Sequence, residues 1–167
     1  MATFSSRNVS EAVVPVAPPI IWRVLADAQE LTALTPLVRR IDVAGDTWVW
    51  HLRGIAALGV TVEPSFTEQM AFEEARSITF EHRPPNGVSE RAGASGRYEL
   101  HDLGAGRTRL FIDITLCVEL PLPRMSRRAV EKVMATTMQR TGDRFAVNLY
   151  RRLGVDAREA SARTLAS

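Results

Sequence analysis

The sequence contains a single cysteine, Cys117, in a chain of 167 residues. One cysteine excludes an intramolecular disulfide and cannot by itself build a cysteine-based zinc site. Proteins without disulfides are typical of reducing compartments, so we expect a cytoplasmic location. Cys117 falls on an outward-facing position of its predicted strand, where we expect it to be inert.

Lysine is almost absent as well, since Lys132 is the only one. Lysine plus arginine total 21 against 19 aspartate plus glutamate, which leaves a formal net charge of only +2. The arginines gather at residues 124–128 and 151–152, at the two ends of a predicted helix, where solvent exposure is the simplest interpretation. A phosphate-binding surface needs a larger positive excess with interleaved aromatic residues, so we expect no nucleic-acid partner.

Long hydrophobic runs are also missing. Residues 13–21 are apolar, but Pro15, Pro18 and Pro19 interrupt them and no basic segment precedes them. We therefore expect neither a signal peptide nor an integral membrane segment. The three histidines show no His-x-x-x-His spacing, and the chain has no glycine-rich phosphate loop and no Gly-x-Ser-x-Gly motif. These absences predict no metal site and no cofactor.

The chain does have enough apolar material for the core of one domain, since 46% of its residues are hydrophobic and 24% are charged. Residues 4–16 predict a first strand. Pro18 and Pro19 then fit the first turn of a short helix, where proline is tolerated. Residues 29–34 predict a second short helix, which Pro36 ends.

Between residues 37 and 120, apolar residues recur at every second position between turn signals, which is typical of antiparallel strands. The turns are rich in glycine and proline. Six further strands are predicted, at residues 39–43, 47–54, 60–72, 78–80, 88–102 and 110–118.

The last predicted element is a long helix over residues 125–153, with apolar residues at helical spacing and Gly154 as its C-cap. Only this helix is long enough to cover one face of the sheet. The sequence therefore predicts an α+β fold in which a curved seven-stranded antiparallel sheet wraps around the C-terminal helix, with two short helices after strand 1. We expect one domain over residues 1–155, followed by a polar, alanine-rich tail, residues 156–167, that frays.

Four short motifs occur in this order: residues 16–27 (VAPPIIWRVLAD), 36–38 (PLV), 96–98 (GRY) and 106–110 (GRTRL). Over roughly residues 5–153, the motifs and the element order resemble the START/Bet v 1-like superfamily, the polyketide cyclase/dehydrase and lipid-transport group. The chain departs from many members at residues 31–36 (LTALTP), where a tryptophan before the proline is missing. The resemblance implies a helix-grip fold around a deep, mostly apolar cavity. It implies no catalytic residue, because the superfamily has no universal catalytic motif.

Strand alternation indicates which side chains face the helix. Trp48, Trp50 and Tyr98 can stack on a planar ligand, and methionines on the helix can adapt to its shape. Each of these residues can equally belong to an ordinary core. The predicted ligand-binding residues are Trp48, Trp50, Phe66, Met70, Phe80, Tyr98, Ile112, Ile114, Met134 and Met138.

Two ionisable residues fall in phase with these apolar neighbours. Glu68 lies between Phe66 and Met70, and His82 follows Phe80. A carboxyl group in an apolar cavity keeps its proton more readily, and a nearby histidine can move a proton near neutral pH. The pair is the candidate for catalysis. The alternative is that a bulge turns Glu68 outward, or that His82 lies in water at the strand end.

Three functions are compatible with this sequence. The first is binding of a hydrophobic small molecule, such as a lipid, a polyketide or an aromatic metabolite, in an internal cavity. The second is a polyketide cyclase, aromatase or dehydratase that uses Glu68 and His82 in the same cavity. The third is a chaperone-like protein-interaction domain. Fold alone does not decide among them, and a homodimer stays open.

Overall fold

The computed structural model describes residues 1–166. Three α-helices are present in this part of the chain, α1 (Pro18–Leu25), α2 (Ala28–Leu34) and α3 (Arg127–Leu153), and a 3-10 turn at Arg124–Ser126 precedes α3. The strands are β1 (Ala2–Val14), β2 (Val38–Ala44), β3 (Thr47–Leu52), β4 (Ile55–Ala57), β5 (Val60–Val62), β6 (Ser65–Glu73), β7 (Ser77–His82), β8 (Ala92–Gly104), β9 (Arg107–Leu120) and β10 (Ser161–Ala166).

The seven predicted strands form one antiparallel sheet in the order β1-β9-β8-β7-β6-β3-β2. The first and last of these in sequence are neighbours, since β1 pairs with β9 from Ala2 opposite Leu120 to Val14 opposite Thr108. The predicted α+β architecture, with two short helices after strand 1 and a long C-terminal helix, is confirmed. An eighth strand, β10, pairs antiparallel with β1 at the sheet edge. This differs from the expectation that the tail frays.

One predicted strand is divided. Residues 60–72 were expected to form a single strand, but Pro64 separates β5 from β6. Proline cannot donate a backbone hydrogen bond to a neighbouring strand, so it breaks the ladder at this point. The segment β5 pairs with β4 in a separate hairpin, whose turn places Leu58 and Gly59 at positive φ angles of 50° and 80°.

The ends of the helices follow from local sequence. Pro18 begins α1, where its missing N–H removes no intrahelical hydrogen bond. The carboxylate of Asp27 caps α2 by accepting hydrogen bonds from the backbone N–H groups of Gln29 and Glu30. Gly154 ends α3 in the left-handed conformation, at φ 69°, which confirms the predicted C-cap.

The helix α3 supplies side chains to two separate hydrophobic clusters. Phe145, Leu149 and Tyr150 join the cluster beside α1 and α2. Val130 and Met134 join the second cluster, which contains Phe4 and Phe66, among others. The turns of α3 between these groups carry no buried side chain, and the helix faces open space there. No helix within residues 1–166 has the length and apolar content needed to cross a membrane.

Candidate functional site

The space between the two clusters is a cavity of about 280 Å³, enclosed by the inner face of the sheet and the middle of α3. Most of its lining is apolar, as is usual for small-molecule sites, although its volume lies just below their usual range. The apolar lining residues are Ala12, Leu37, Val38, Trp50, Leu52, Phe66, Phe80, Ala94, Leu110, Ile112, Ile114, Leu116, Met138, Phe145, Ala146 and Leu149.

Seven of the ten residues predicted to bind ligand line this cavity, and their role toward a ligand stays a prediction. The other three, Trp48, Met70 and Met134, lie outside the lining and are buried in the hydrophobic clusters. Trp48 packs toward the other end of the strand, with its ring centroid 5.7 Å from that of Phe72. Strand alternation predicts which face a side chain occupies but not how far along the strand the cavity extends.

Glu68 lines the cavity, as predicted from the alternation of β6. Its neighbours on the same face are Phe66 and Met70, and it is only 2% exposed. Its Oε2 atom is buried and has no hydrogen-bond partner among the described residues. Burial raises the pKa of Glu68 to about 8, and the Trp50 indole opposes this rise. Glu68 is therefore mostly a neutral carboxylic acid at pH 7.

Two further polar groups belong to the same wall. Trp50 lies on β3, next to β6, and its indole N–H is close enough to Glu68 to act on the pKa of that carboxyl group. The Trp50 Nε1 atom is buried and has no hydrogen-bond partner among the described residues. Tyr98 on β8 lines the cavity as well. Burial raises the pKa of Tyr98, and the charge of an ionised Glu68 raises it further, so its hydroxyl group stays protonated. The wall is thus a cluster of three polar groups in an apolar surround.

His82 does not join this cluster, and the prediction that it faces the cavity is wrong. It lies opposite Glu68 in the strand register, but its ring is outside the cavity lining and its Nε2 atom is 2.9 Å from Glu90 Oε2. The ring occupies the space beside Gly93, where an added Cβ atom would lie 2.4 Å from it. His82 therefore lies at the end of β7 and turns toward Glu90, as the alternative interpretation of the sequence allowed.

Glu90, in the loop before β8, is half-buried and accepts several hydrogen bonds. Besides contacting His82, it accepts hydrogen bonds from the backbone N–H of Thr67 at 2.8 Å and from its hydroxyl group at 2.6 Å. These bonds help to lower the pKa of Glu90 against the opposing effect of burial. The contacts of Glu90 with Thr67 and His82 hold the β7–β8 loop against β6. These contacts explain the positions of Glu90 and His82 without a role in the cavity.

Polar residues that the sequence analysis did not single out surround the cavity where it meets the surface. They lie on β1 and on the middle of α3, and Asn8 Nδ2 donates a hydrogen bond to Gln139 Oε1 across the gap at 3.3 Å. Gly142 and Asp143 are exposed members of the lining. The signal in the sequence is the polar stretch 139–143, which interrupts the apolar spacing of the helix. We call this border, formed by Asn8, Ser10, Glu11, Gln139, Thr141, Gly142 and Asp143, the polar rim.

The outer face of the sheet carries different chemistry. His51 Nε2 lies 2.9 Å from Asp42 Oδ2, and His51 Nδ1 lies 2.8 Å from Ser65 Oγ. Asp113 pairs with Arg7 through two hydrogen bonds of 2.8 and 2.9 Å. Within residues 1–166, no group of three or more histidine, cysteine, aspartate or glutamate side chains is arranged to hold a metal ion.

Comparison with known proteins identifies the fold. No protein-family model and no curated protein matches the chain. Among solved structures, a conserved protein from Geobacillus kaustophilus superposes with a TM-score of 0.66 at 12% identity, covering 94% of this chain and 99% of that one. The ZhuI aromatase/cyclase from Streptomyces sp. R1128 gives 0.62 at 13% identity, with 90% and 93% covered.

A START superfamily protein from Mycobacterium smegmatis gives a TM-score of 0.61 at 15% identity, covering 87% of this chain and 96% of that one. At these identities the similarity concerns the fold alone. The chain has the START/Bet v 1-like fold that the sequence motifs indicated, and the chemistry of its site has to be argued from its own residues.

Proposed function

We propose that this protein binds a hydrophobic small molecule in the cavity between the sheet and α3. The observation that carries the proposal is the cavity of about 280 Å³ itself, which is lined mainly by apolar side chains and contains the unpartnered polar atoms of Glu68 and Trp50. Buried polar atoms without partners are rare in folded proteins and need an explanation. A ligand that supplies the missing hydrogen bonds is such an explanation.

The open interior favours binding over the protein-interaction alternative, because a domain that acts only through its surface needs no internal cavity. The titratable groups favour binding over the catalytic pair considered above, because His82 is bonded to Glu90 and away from Glu68. The domain at residues 1–155 is then the ligand-binding unit, and the single cysteine supports a cytoplasmic location.

One observation keeps a second function in view. Glu68, whose pKa is raised to about 8, can hold or release a proton near neutral pH. A cyclase, aromatase or dehydratase acting on a polyketide would need such a group, and one structural neighbour is an aromatase/cyclase. In this candidate function Glu68 acts without a histidine partner, so Glu68→Gln would abolish turnover while binding persists.

The test of binding uses the neutral fluorescent dye N-phenyl-1-naphthylamine, together with native mass spectrometry of the purified protein to detect a co-purified molecule. Met138→Trp places a larger side chain in the cavity lining and should reduce dye affinity at least roughly tenfold, because the free volume is lost. Met125→Trp is the matched control, since Met125 is 94% exposed outside the cavity. Equal dye binding by both folded variants, and by the unaltered protein, would refute the cavity as the binding site.

A further inference from the structure

We propose that the wall of the cavity formed by Trp50 and Glu68 is a subsite for a hydrogen-bond acceptor oxygen, such as a ketone carbonyl, on an otherwise apolar and uncharged ligand. The inference rests on the proposed function, because it names the chemical feature by which the same cavity selects its ligand.

The register of the sheet brings the two side chains together. Trp48 lies opposite Glu68 and Trp50 lies opposite Phe66, so Trp50 and Glu68 are diagonal neighbours on the inner face of β3 and β6. Diagonal neighbours are within reach of each other when their side chains are long. Both Trp50 Nε1 and Glu68 Oε2 are buried and lack a partner among the described residues. One ligand oxygen can therefore accept hydrogen bonds from both groups.

The protonation states make this wall a set of donors. Trp50 Nε1 is always a donor, and the Glu68 carboxyl group donates when it carries its proton. Because the pKa of Glu68 is raised to about 8, the proton is present at pH 7. The Tyr98 hydroxyl group lines the same cavity and also keeps its proton. A carbonyl oxygen, which only accepts, complements these groups.

The charges around the cavity disfavour an anionic ligand, because Glu11 and Asp143 lie in its polar rim and Glu68 lies in its wall. No lysine, arginine or histidine is present among the described residues that line it. A ligand carboxylate would be buried without a cation, which is unfavourable. An amine is the opposite case, because it would hold Glu68 in its ionised form and make the carboxylate an acceptor. As the pH rises through about 8, binding of a ketone should therefore weaken and binding of an amine should strengthen.

The experiment compares the ketone 1-tetralone with the hydrocarbon tetralin, which has the same ring skeleton. Each displaces N-phenyl-1-naphthylamine from the full chain, and the ratio of their inhibition constants removes any effect of a variant on the dye itself. At pH 6.5 we expect the ketone to bind roughly tenfold more tightly, as one or two net hydrogen bonds allow. The preference should decline as the pH rises through about 8, where Glu68 ionises.

Three substitutions assign the preference to the wall. Glu68→Met keeps the side-chain volume but removes one of the two donors, so the ratio should fall severalfold while tetralin still binds. Glu68→Gln retains an N–H donor, so it should keep the preference and lose its dependence on pH. Trp50→Phe removes the other donor and should reduce the preference, which provides a second test if Glu68→Met fails to fold.

The outcomes separate this inference from the proposed function. If tetralin binds but the ketone has no advantage, or if Glu68→Met keeps the advantage, the subsite is refuted and the apolar cavity remains. If 2-aminotetralin binds more tightly than the ketone at pH 7, the wall is an anionic site and the inference is wrong. If the dye binds but neither ring compound displaces it, the subsite inference fails and the Met138→Trp comparison still decides the binding proposal. If the dye itself fails to bind, both proposals fail.

Discussion

Glu68 and Asp113 are both nearly buried carboxyl groups on the same sheet, but they lie on opposite faces and have opposite environments. Asp113, 7% exposed on the outer face, is held by two hydrogen bonds from Arg7, and Arg97 lies 3.7 Å away. These arginines lower the pKa of Asp113. Glu68, 2% exposed on the inner face, has no cation beside it among the described residues, and its pKa is raised to about 8.

The difference indicates what each group does. A carboxylate with a cation is satisfied within the protein, and it contributes to stability in its charged form. A buried carboxyl group without one is unfavourable when ionised, so stability alone does not explain it. Groups of this kind concentrate at functional sites, where stability is given up for ligand recognition or catalysis. We therefore assign the outer carboxylate to the scaffold and propose that the inner one belongs to the binding site.

The largest expected effect is the dependence of stability on pH through Glu68. Between pH 4.5 and 8 the folded state keeps this proton while the unfolded state loses it, so the free energy of unfolding falls as the pH rises. Relative to Glu68→Gln, the unaltered protein should lose on the order of 3 kcal/mol between pH 5 and pH 7.5. Urea titrations at several pH values measure this difference.

The comparison with Glu68→Gln removes the contribution of every other titrating group, because both proteins carry them. The two stability curves should converge at acidic pH and diverge as the pH rises toward 8. Parallel curves across this range would mean that Glu68 ionises as in water, and the contrast with Asp113 would disappear.

The second effect is the contribution of Asp113 to stability, which decreases as the pH falls, whereas that of Glu68 decreases as the pH rises. Asp113→Asn removes the ion pair, and we expect a loss of about 1 to 2 kcal/mol at pH 7, limited because Arg7 is largely exposed. The pKa of Asp113 is lowered in the folded state, so its contribution is complete above pH 4 and is lost as the pH falls through the folded-state value. Urea titrations at pH 7 and pH 3 check this.

The control for Asp113 is Arg7→Gln, which removes the partner instead of the carboxylate. It should also destabilise the protein at pH 7, and neither change should alter dye affinity. A loss of dye binding in either folded variant would contradict the assignment of this pair to the scaffold.

The parts of this fold that were predictable from sequence depend on local patterns. Alternation in β6 placed Glu68 on the inner face because its apolar neighbours, Phe66 and Met70, had to be buried. Proline and glycine marked the boundaries of the strands and of α3 for similarly local reasons. The succession of seven strands and the covering helix along the chain followed from these local patterns.

The parts that were missed depend on contacts between distant residues. Asn8 and Gln139 meet across 131 positions of sequence, so nothing near either one predicts the polar rim. The pairing of β10 with β1 is equally distant. Trp48 and Trp50 share one face, yet only Trp50 reaches the cavity, because the extent of the cavity is set by how the whole sheet packs on α3.

The smallest expected effect concerns His82, which alternation placed beside Glu68 and the structure bonds to Glu90. His82→Asn removes a contact at the end of β7, and we expect a loss of stability of no more than about 1 kcal/mol. The affinity for N-phenyl-1-naphthylamine and the preference for 1-tetralone should each change less than roughly twofold, because the ring lies outside the cavity lining. His101→Asn, at an exposed position of β8, is the matched control. A selective loss of ketone preference in His82→Asn would place the histidine in the site and restore the Glu68 and His82 pair as the candidate for catalysis.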